Sequence, residues 1–295
     1  MADISLSQMQ VPDAVRSAGY WQNVGARLVR DKTAMVAAAV LLLLLLAAIF
    51  APLVAPMDPL DGRMINRLKP IGTPGHLLGT DELGRDMLSR LIWGGRLSLL
   101  MGVTPVVLAF VIGSALGIIA GYAGGWTNTL IMRTIDVFYA FPSVLLAVAL
   151  SGALGAGLGN ALLSLTVVFI PPIARVAESV TTRLRSSDFI EAARASGAGA
   201  LTIVRVHVLG NVLGPIFVYA TSLIAVSMIL ASGLSFLGLG VRPPNPEWGL
   251  MLNTLRTAIY VQPWVAALPG AMIFMVSISF NMLSDGLRSA MEVRQ

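Results

Sequence analysis

Of 295 residues, 56% are hydrophobic and only 12% are charged, whereas a soluble domain carries about a quarter charged residues. That excludes an ordinary water-soluble globule and indicates a membrane protein. Cysteine is absent, which excludes a disulfide framework, a thiol nucleophile and a thiolate metal site.

A helix needs about 20 apolar residues to cross the ~30 Å hydrocarbon layer. Uncharged stretches of at least that length lie at 33–57, 97–132, 137–174, 206–241 and 257–284. The stretch 137–174 is too long for one crossing, and Ser151-Gly-Ala-Leu-Gly-Ala-Gly-Leu-Gly-Asn160 breaks it as a tight turn. The expectation is therefore an all-α membrane protein with six transmembrane helices.

At the start, Arg27, Arg30 and Lys32 precede a Leu-rich run that loosely resembles a signal peptide. The tail before it holds Asp3, Asp13 and Asp31, and the run exceeds the usual 7–15 residues, so an uncleaved first crossing is expected after a tail over 1–32. With both termini cytoplasmic, Lys and Arg fall twelve inside against eight outside. The net charge of +5 is scattered among apolar spans and reads as membrane orientation, not as a nucleic-acid patch.

In the segment 58–96, Leu83, Met87 and Leu91 recur at helical spacing while Arg85, Asp86, Ser89 and Arg90 fall on the other face. That predicts an amphipathic helix at the interface, with Trp93 near the headgroups. Its role is either to steer the chain into the bilayer or to face a receptor. Gly113 and Gly117, followed by Gly121, let helices approach closely. The run Val241-Arg-Pro-Pro-Asn-Pro-Glu-Trp-Gly249 cannot be helical, and Trp248 reads as an interfacial anchor.

Catalytic constellations are missing. His76 and His207 fall on opposite sides of the membrane, Gly233-Leu-Ser235-Phe-Leu-Gly238 has the wrong spacing for a nucleophile elbow, and no phosphate loop occurs. No acidic residue falls within an apolar stretch. Asp136 and Asp285 lie at span edges near Arg133 and Arg288, which argues against a self-powered proton carrier.

Between the fourth and fifth crossings, the chain devotes Arg175 to Arg205 to a polar loop. Asp188 at an N-cap and Glu191 three residues later have the spacing of a capping box. A short helix through Ala192, Ala193 and Ala195 then stops at Gly197 before Ala198, and a second helical stretch from Leu201 to Leu209 ends at Gly210. The product is an elbow with a shallow alanine face, shaped to enter a partner's groove.

At Glu191-Ala192-Ala193, with Gly197 and later Leu209, the chain resembles the permease subunits of bacterial ABC importers, whose EAA motif reads Glu-Ala-Ala, three residues, Gly, then Leu-Pro. Here Gly210 replaces that Pro, and Gly214 stands where relatives often have another. His76-Leu-Leu-Gly79-Thr80-Asp81-Glu82-Leu-Gly84-Arg85-Asp86 is similar to the signature before the second crossing in C-type subunits of dipeptide, oligopeptide and nickel importers. Gly121-Tyr-Ala-Gly-Gly-Trp126, Ala140-Phe-Pro142, Ser235-Phe-Leu-Gly-Leu-Gly240 and Asn281-Met-Leu-Ser-Asp-Gly-Leu-Arg288 are similar to that subfamily as well.

The resemblance implies a type I ABC importer permease fold in the bacterial inner membrane. It implies a first helix over 33–57, a periplasmic segment over 58–96 and a five-helix core over 97–295, with the coupling loop at 175–211. The chain is then half of a pore completed by a homologous permease. Two cytoplasmic ATPases that bind ATP and Mg drive the pore, and a periplasmic or extracellular binding protein supplies it. No cofactor is expected in the chain itself. Asp188, Glu191, Ala192, Ala193, Ala195, Gly197, Ala198 and Leu209 are the implied coupling residues. The cargo implied is a dipeptide or oligopeptide, with nickel chelates or another small solute as the alternative. From other classes, a stand-alone channel or ion-driven carrier, and more remotely a membrane-embedded hydrolase, remain open.

Overall fold

The computed structural model describes residues 20–291; of the tail expected at 1–32, residues 1–19 lie outside the described residues. Among the described residues, helices are joined by loops that carry only isolated β-bridges. Helix α1 (Tyr20–Arg30) precedes α2 (Lys32–Ile49), whose N-cap Asp31 accepts from the Thr33 and Ala34 amides at 3.0 and 3.2 Å. The Thr33 hydroxyl and the Ala34 amide hold the Asp31 carboxyl below its ordinary pKa. After the short α3 (Ala51–Val54) and a long loop comes α4 (Met87–Ala123). Its 37 residues span about 55 Å at 1.5 Å per residue, well beyond the hydrocarbon layer.

Gly124, at φ +68°, ends α4. Helices α5 (Gly125–Tyr139) and α6 (Ser143–Leu154) then meet at 87°. Pro142 causes the bend, because it lacks an amide hydrogen and keeps Phe141 from continuing the helix. The expected turn follows, with the Asn160 side-chain amide donating to the carbonyls of Leu154 (2.8 Å) and Gly155 (2.9 Å). Helix α7 (Leu158–Arg185) leads to α8 (Asp188–Ala195), α9 (Ala200–Ile203), a π-helical turn (Val204–Val208) and α10 (Leu209–Phe236). The chain closes with α11 (Trp248–Thr254) and α12 (Pro263–Met291). Among the described residues, five helices are long and apolar enough to cross a membrane, and counting the bent α5–α6 pair as one span brings the number to the six expected.

The glycine stripe performs the packing expected of it. A Cβ at Gly117 would stand 2.3 Å from the Ala174 carbonyl oxygen and 2.5 Å from Ala177 Cβ, and Cβ atoms at Gly113 and Gly121 would come within 2.9 and 2.8 Å of α7. Two backbones can meet at that distance only without side chains between them.

Three local expectations are corrected. The amphipathic helix expected within 79–93 does not form as a separate interfacial element: α4 begins at Met87, and Arg85, Asp86, Ser89 and Arg90 are buried instead of facing away. Trp248 is no interfacial anchor, being only 1% exposed. It fills a notch cut by Gly94 and Gly95, with its ring carbons 3.1 and 3.2 Å from where their Cβ atoms would be, and its Nε1 donates to the Leu91 carbonyl at 2.9 Å. Finally, the stretch after Leu201 does not end at Gly210 but runs on through α10.

Candidate functional site: an exposed elbow and a buried ion network

The elbow is built on α7, which outruns its apolar stretch and finishes with Arg183 and Arg185 in its last turn, where cations suit the helix dipole. The N-cap of α8 is Ser187, not Asp188, and its hydroxyl donates back to the Leu184 carbonyl at 2.6 Å. The capping box therefore does not form. Burial sets the register. Ile190 is fully buried in the main core, so Glu191, about 100° further round the helix, turns outward. The Glu191 amide donates to the Ser187 carbonyl at 3.2 Å, but its carboxylate is exposed and has no hydrogen-bond or ion-pair partner among the described residues.

The glycine stop is as expected. Gly197 sits at φ +83°, with Ala198 N donating to Ala193 O at 3.1 Å and Gly197 N to Arg194 O at 2.9 Å. That pair of bonds satisfies the last carbonyls of α8 and needs a left-handed residue between them. The elbow is pinned from beneath by Ile190, Ile203 and Val208, with Ala193, Ala198 and Leu209 partly buried against the same core. The Arg194 guanidinium lies 5.6 Å from the centre of the Tyr122 ring on α4. At the π-helical turn, the Asn211 side chain donates to the His207 carbonyl at 2.6 Å.

The candidate coupling residues thus divide. Asp188, Glu191, Ala192, Ala195 and Gly197 form an exposed ridge, while Ala193, Ala198 and Leu209 hold it to the bundle.

At the other end of α4, the signature residues close on one another. Asp81 Oδ1 accepts the amides of Leu83 and Arg85, both at 2.9 Å. Its Oδ2 lies 2.6 Å from Arg85 Nε and 3.1 Å from Arg90 Nε. Arg85 also donates to Glu82 at 3.1 Å, and Arg90 donates to the Pro59 carbonyl at 3.0 Å. Asp86 caps α4 by accepting from the Ser89 amide and hydroxyl at 2.8 and 2.7 Å, while His76 Nδ1 lies 3.1 Å from its other oxygen. The Thr80 hydroxyl accepts from the Lys69 amide at 2.9 Å and donates to the Asn66 carbonyl.

Gly79 and Gly84 sit at φ +78° and +75°, and Cβ atoms there would lie 2.4 Å from Lys69 O and 2.0 Å from Arg63 O. Thr80, Asp81, Arg85 and Asp86 are all buried. Spacing placed these charges on a solvent face; in the folded loop they neutralise one another.

Two features escaped the sequence. Buried Glu247 caps α11 through the amides of Gly249 (2.9 Å) and Leu250 (2.8 Å), and takes the Ser98 hydroxyl of α4 at 2.9 Å. An acidic residue just ahead of Trp-Gly-Leu was the available signal. Asp136 pairs with Arg175 of α7 and not with the nearby Arg133; a contact between helices has no signature in local spacing.

A helical bundle with one exposed, core-anchored elbow matches a known architecture. The family described as "Binding-protein-dependent transport system inner membrane component" matches residues 113–294, and "N-terminal TM domain of oligopeptide transport permease C" matches residues 19–70. The chain belongs to this family of ABC transport permeases, in its C-type dipeptide and oligopeptide branch.

The glutathione transport system permease protein GsiD of Escherichia coli O6:K15:H31 is 42% identical over 281 residues, 95% of this chain and 92% of the relative. The di/tripeptide permease DppC of Pseudomonas aeruginosa is 43% identical over 250 residues, covering 83% of this chain and 82% of the relative. The dipeptide permease DppC of Alkalihalophilus pseudofirmus is 40% identical, over 92% of this chain and 89% of the relative. In fold, the chain is similar to the methionine ABC transporter MetNI in an inward-facing conformation, with a TM-score of 0.57 at 22% identity over 69% of this permease and 97% of that chain. It is a multi-pass membrane permease with a type I importer fold. Permease subunits of this family are not themselves enzymes, and they work with partner subunits.

Proposed function

We propose that the permease forms half of the translocation pore of an ATP-driven importer for dipeptides or oligopeptides in the bacterial inner membrane. A second, homologous permease completes the pore. Two cytoplasmic ATPases bind ATP and Mg and seat the ridge of α8, and an external binding protein delivers cargo. The termini are cytoplasmic, so the elbow faces the ATPases and the 58–96 loop faces outward. ATP-driven approach of the ATPases draws the two elbows together and opens the pore outward; hydrolysis resets it. The chain itself needs no cofactor.

The observation that carries this reading is the ridge of Asp188, Glu191, Ala192, Ala195 and Gly197, exposed yet fixed from below by buried Ile190 and Ile203. A contact surface for a rigid partner needs that combination: little side-chain entropy to lose and a firm link to the spans. The peptide relatives support the cargo class.

Reconstitution tests it. The purified permease should hydrolyse no ATP above a vector control, and peptide uptake into vesicles should require the ATPases, the second permease and the binding protein together. ATPase activity in the permease alone, or uptake without the ATPases, would overturn the reading.

A further inference from the structure

The end of α4 and the start of α5 meet at a corner, and α7 and the elbow hold that corner together. The Asn128 side-chain amide donates to the Ala120 carbonyl at 3.2 Å and to Glu178 Oε1 at 2.8 Å, so one residue ties α4, α5 and α7. The Thr182 hydroxyl donates to the same Glu178 oxygen at 3.1 Å. One turn further along α7, the Arg185 guanidinium lies against Gly124, so close that a Cβ there would overlap its Nη1. The far end of α5 is held as well, by the ion pair of Asp136 with Arg175. Helix α5 is thus fastened to α7 near both its ends, and beyond the second fastening lies the 87° bend into α6.

Helix α8 reaches this corner through Arg194. Its guanidinium stacks over the Tyr122 ring, near the end of α4, and makes no hydrogen bond among the described residues. Tyr122 is half-buried and packs against the core that takes in Ile190, Ala193 and Ala198. The chain itself joins the elbow to α7 on one side and to α10 on the other. The stacked pair adds α4, a helix that is not the elbow's neighbour in sequence. A cation over a ring face suits a moving joint, because the contact is directional and yet weak enough at an exposed site to be remade in each cycle.

We infer that Arg194 and Tyr122 are positioning residues: stacked, they make the α4–α5 corner move with α8 when the ATPases shift the elbow. The tie from Asn128 to Glu178 carries the same displacement along α5 toward the bend at Pro142. The inference rests on the ATP-driven import reading and deepens it by naming the side chains through which motion leaves the elbow.

In the complete complex reconstituted into vesicles, the contact is read as ATP hydrolysed per peptide taken up. Arg194→Gln and Tyr122→Leu should each raise that ratio about threefold, and the two together should raise it no further than either alone. Tyr122→Phe keeps a ring under the guanidinium and Arg194→Lys keeps a cation over the ring, so both should stay within about 1.5-fold of the unsubstituted complex. A merely structural contact would move the unfolding midpoint and leave the ratio where it was. A second measurement needs no transport. The permease has no cysteine, so Trp126→Cys in α5 and Leu201→Cys on the elbow, 85% and 82% exposed, can carry a pair of spin labels in a complex with cysteine-free partners. The distance between the labels should be the same with and without ATP, and should change with ATP once Arg194→Gln is added.

An unchanged ratio in both single variants overturns the inference. A rise with Arg194→Gln but none with Tyr122→Leu does so too, because Arg194 then serves the ATPase directly. Multiplying losses in the double variant, or a label distance that changes with ATP in the otherwise unsubstituted complex, separate the corner from the elbow. Each of these results leaves peptide import standing. Absence of ATP-driven uptake by the unsubstituted complex overturns the import reading, and the coupling role falls with it.

Discussion

At the loop end of α4, Asp81, Arg85, Asp86 and Arg90 are buried and meet one another. At the elbow end, Asp188, Glu191 and Arg194 are exposed, and the Glu191 carboxylate has no partner among the described residues. Both segments are polar insertions between apolar spans, and by composition they look alike. One is a finished structure that uses its own charges to hold the chain between α3 and α4. The other is finished only on its inner side. Polar residues in a membrane protein's loops therefore point to a partner only where their hydrogen-bonding capacity is left unused.

The largest effect should come from breaking the finished end. Asp81→Ala leaves Arg85 and Arg90 without their shared carboxylate inside a buried loop, and removing one member of such a set costs about 3–5 kcal/mol. Thermal unfolding of the purified permease in detergent should register it as a large fall in midpoint. A shift no bigger than that of a surface substitution would mean the network is hydrated and the contrast between the ends is false.

Two left-handed glycines sharpen the contrast. Gly84 and Gly197 both have positive φ, +75° and +83°, but a Cβ at Gly84 would strike the Arg63 carbonyl while nothing lies within 4 Å of one at Gly197. Gly84→Ala should cost about 2–4 kcal/mol, combining overpacking with backbone strain. Gly197→Ala should cost about 1–2 kcal/mol from strain alone. The bulkier, β-branched Gly197→Val should still insert, yet lose transport, because it distorts the bend offered to the ATPases. Equal destabilisation by the two alanines would contradict the cage around Gly84, and undiminished uptake by Gly197→Val would remove the elbow's coupling role.

The architecture was legible wherever the signal is local. Apolar length gave the crossings, Asn160 and the glycines around it gave the turn, and Gly197 gave the end of α8. Gly113, Gly117 and Gly121 gave a close helix contact, though not which helix would meet them. What could not be read depends on residues far apart in the chain. Arg90 is buried because Pro59 and Asp81 come to it, and Trp248 because Gly94 and Gly95 leave room for it across more than 150 positions. The capping box failed for a subtler reason. Asp188 and Glu191 have the right spacing, but burial of Ile190 shifts the helix start by one residue and leaves Ser187 at the cap.

That one-residue shift gives the smallest and most discriminating prediction. If Glu191 closed a capping box, Glu191→Ala would cost about 0.5–2 kcal/mol of stability. Exposed and unbonded, it should instead change stability by less than about 0.5 kcal/mol. Its carboxylate is free for a partner, so the same substitution should weaken ATP-driven uptake in the assembled complex while unfolding in detergent stays where it was. A loss of both together would restore the capping role. A loss of neither would confine the partner contact to the alanine and glycine surface of the ridge.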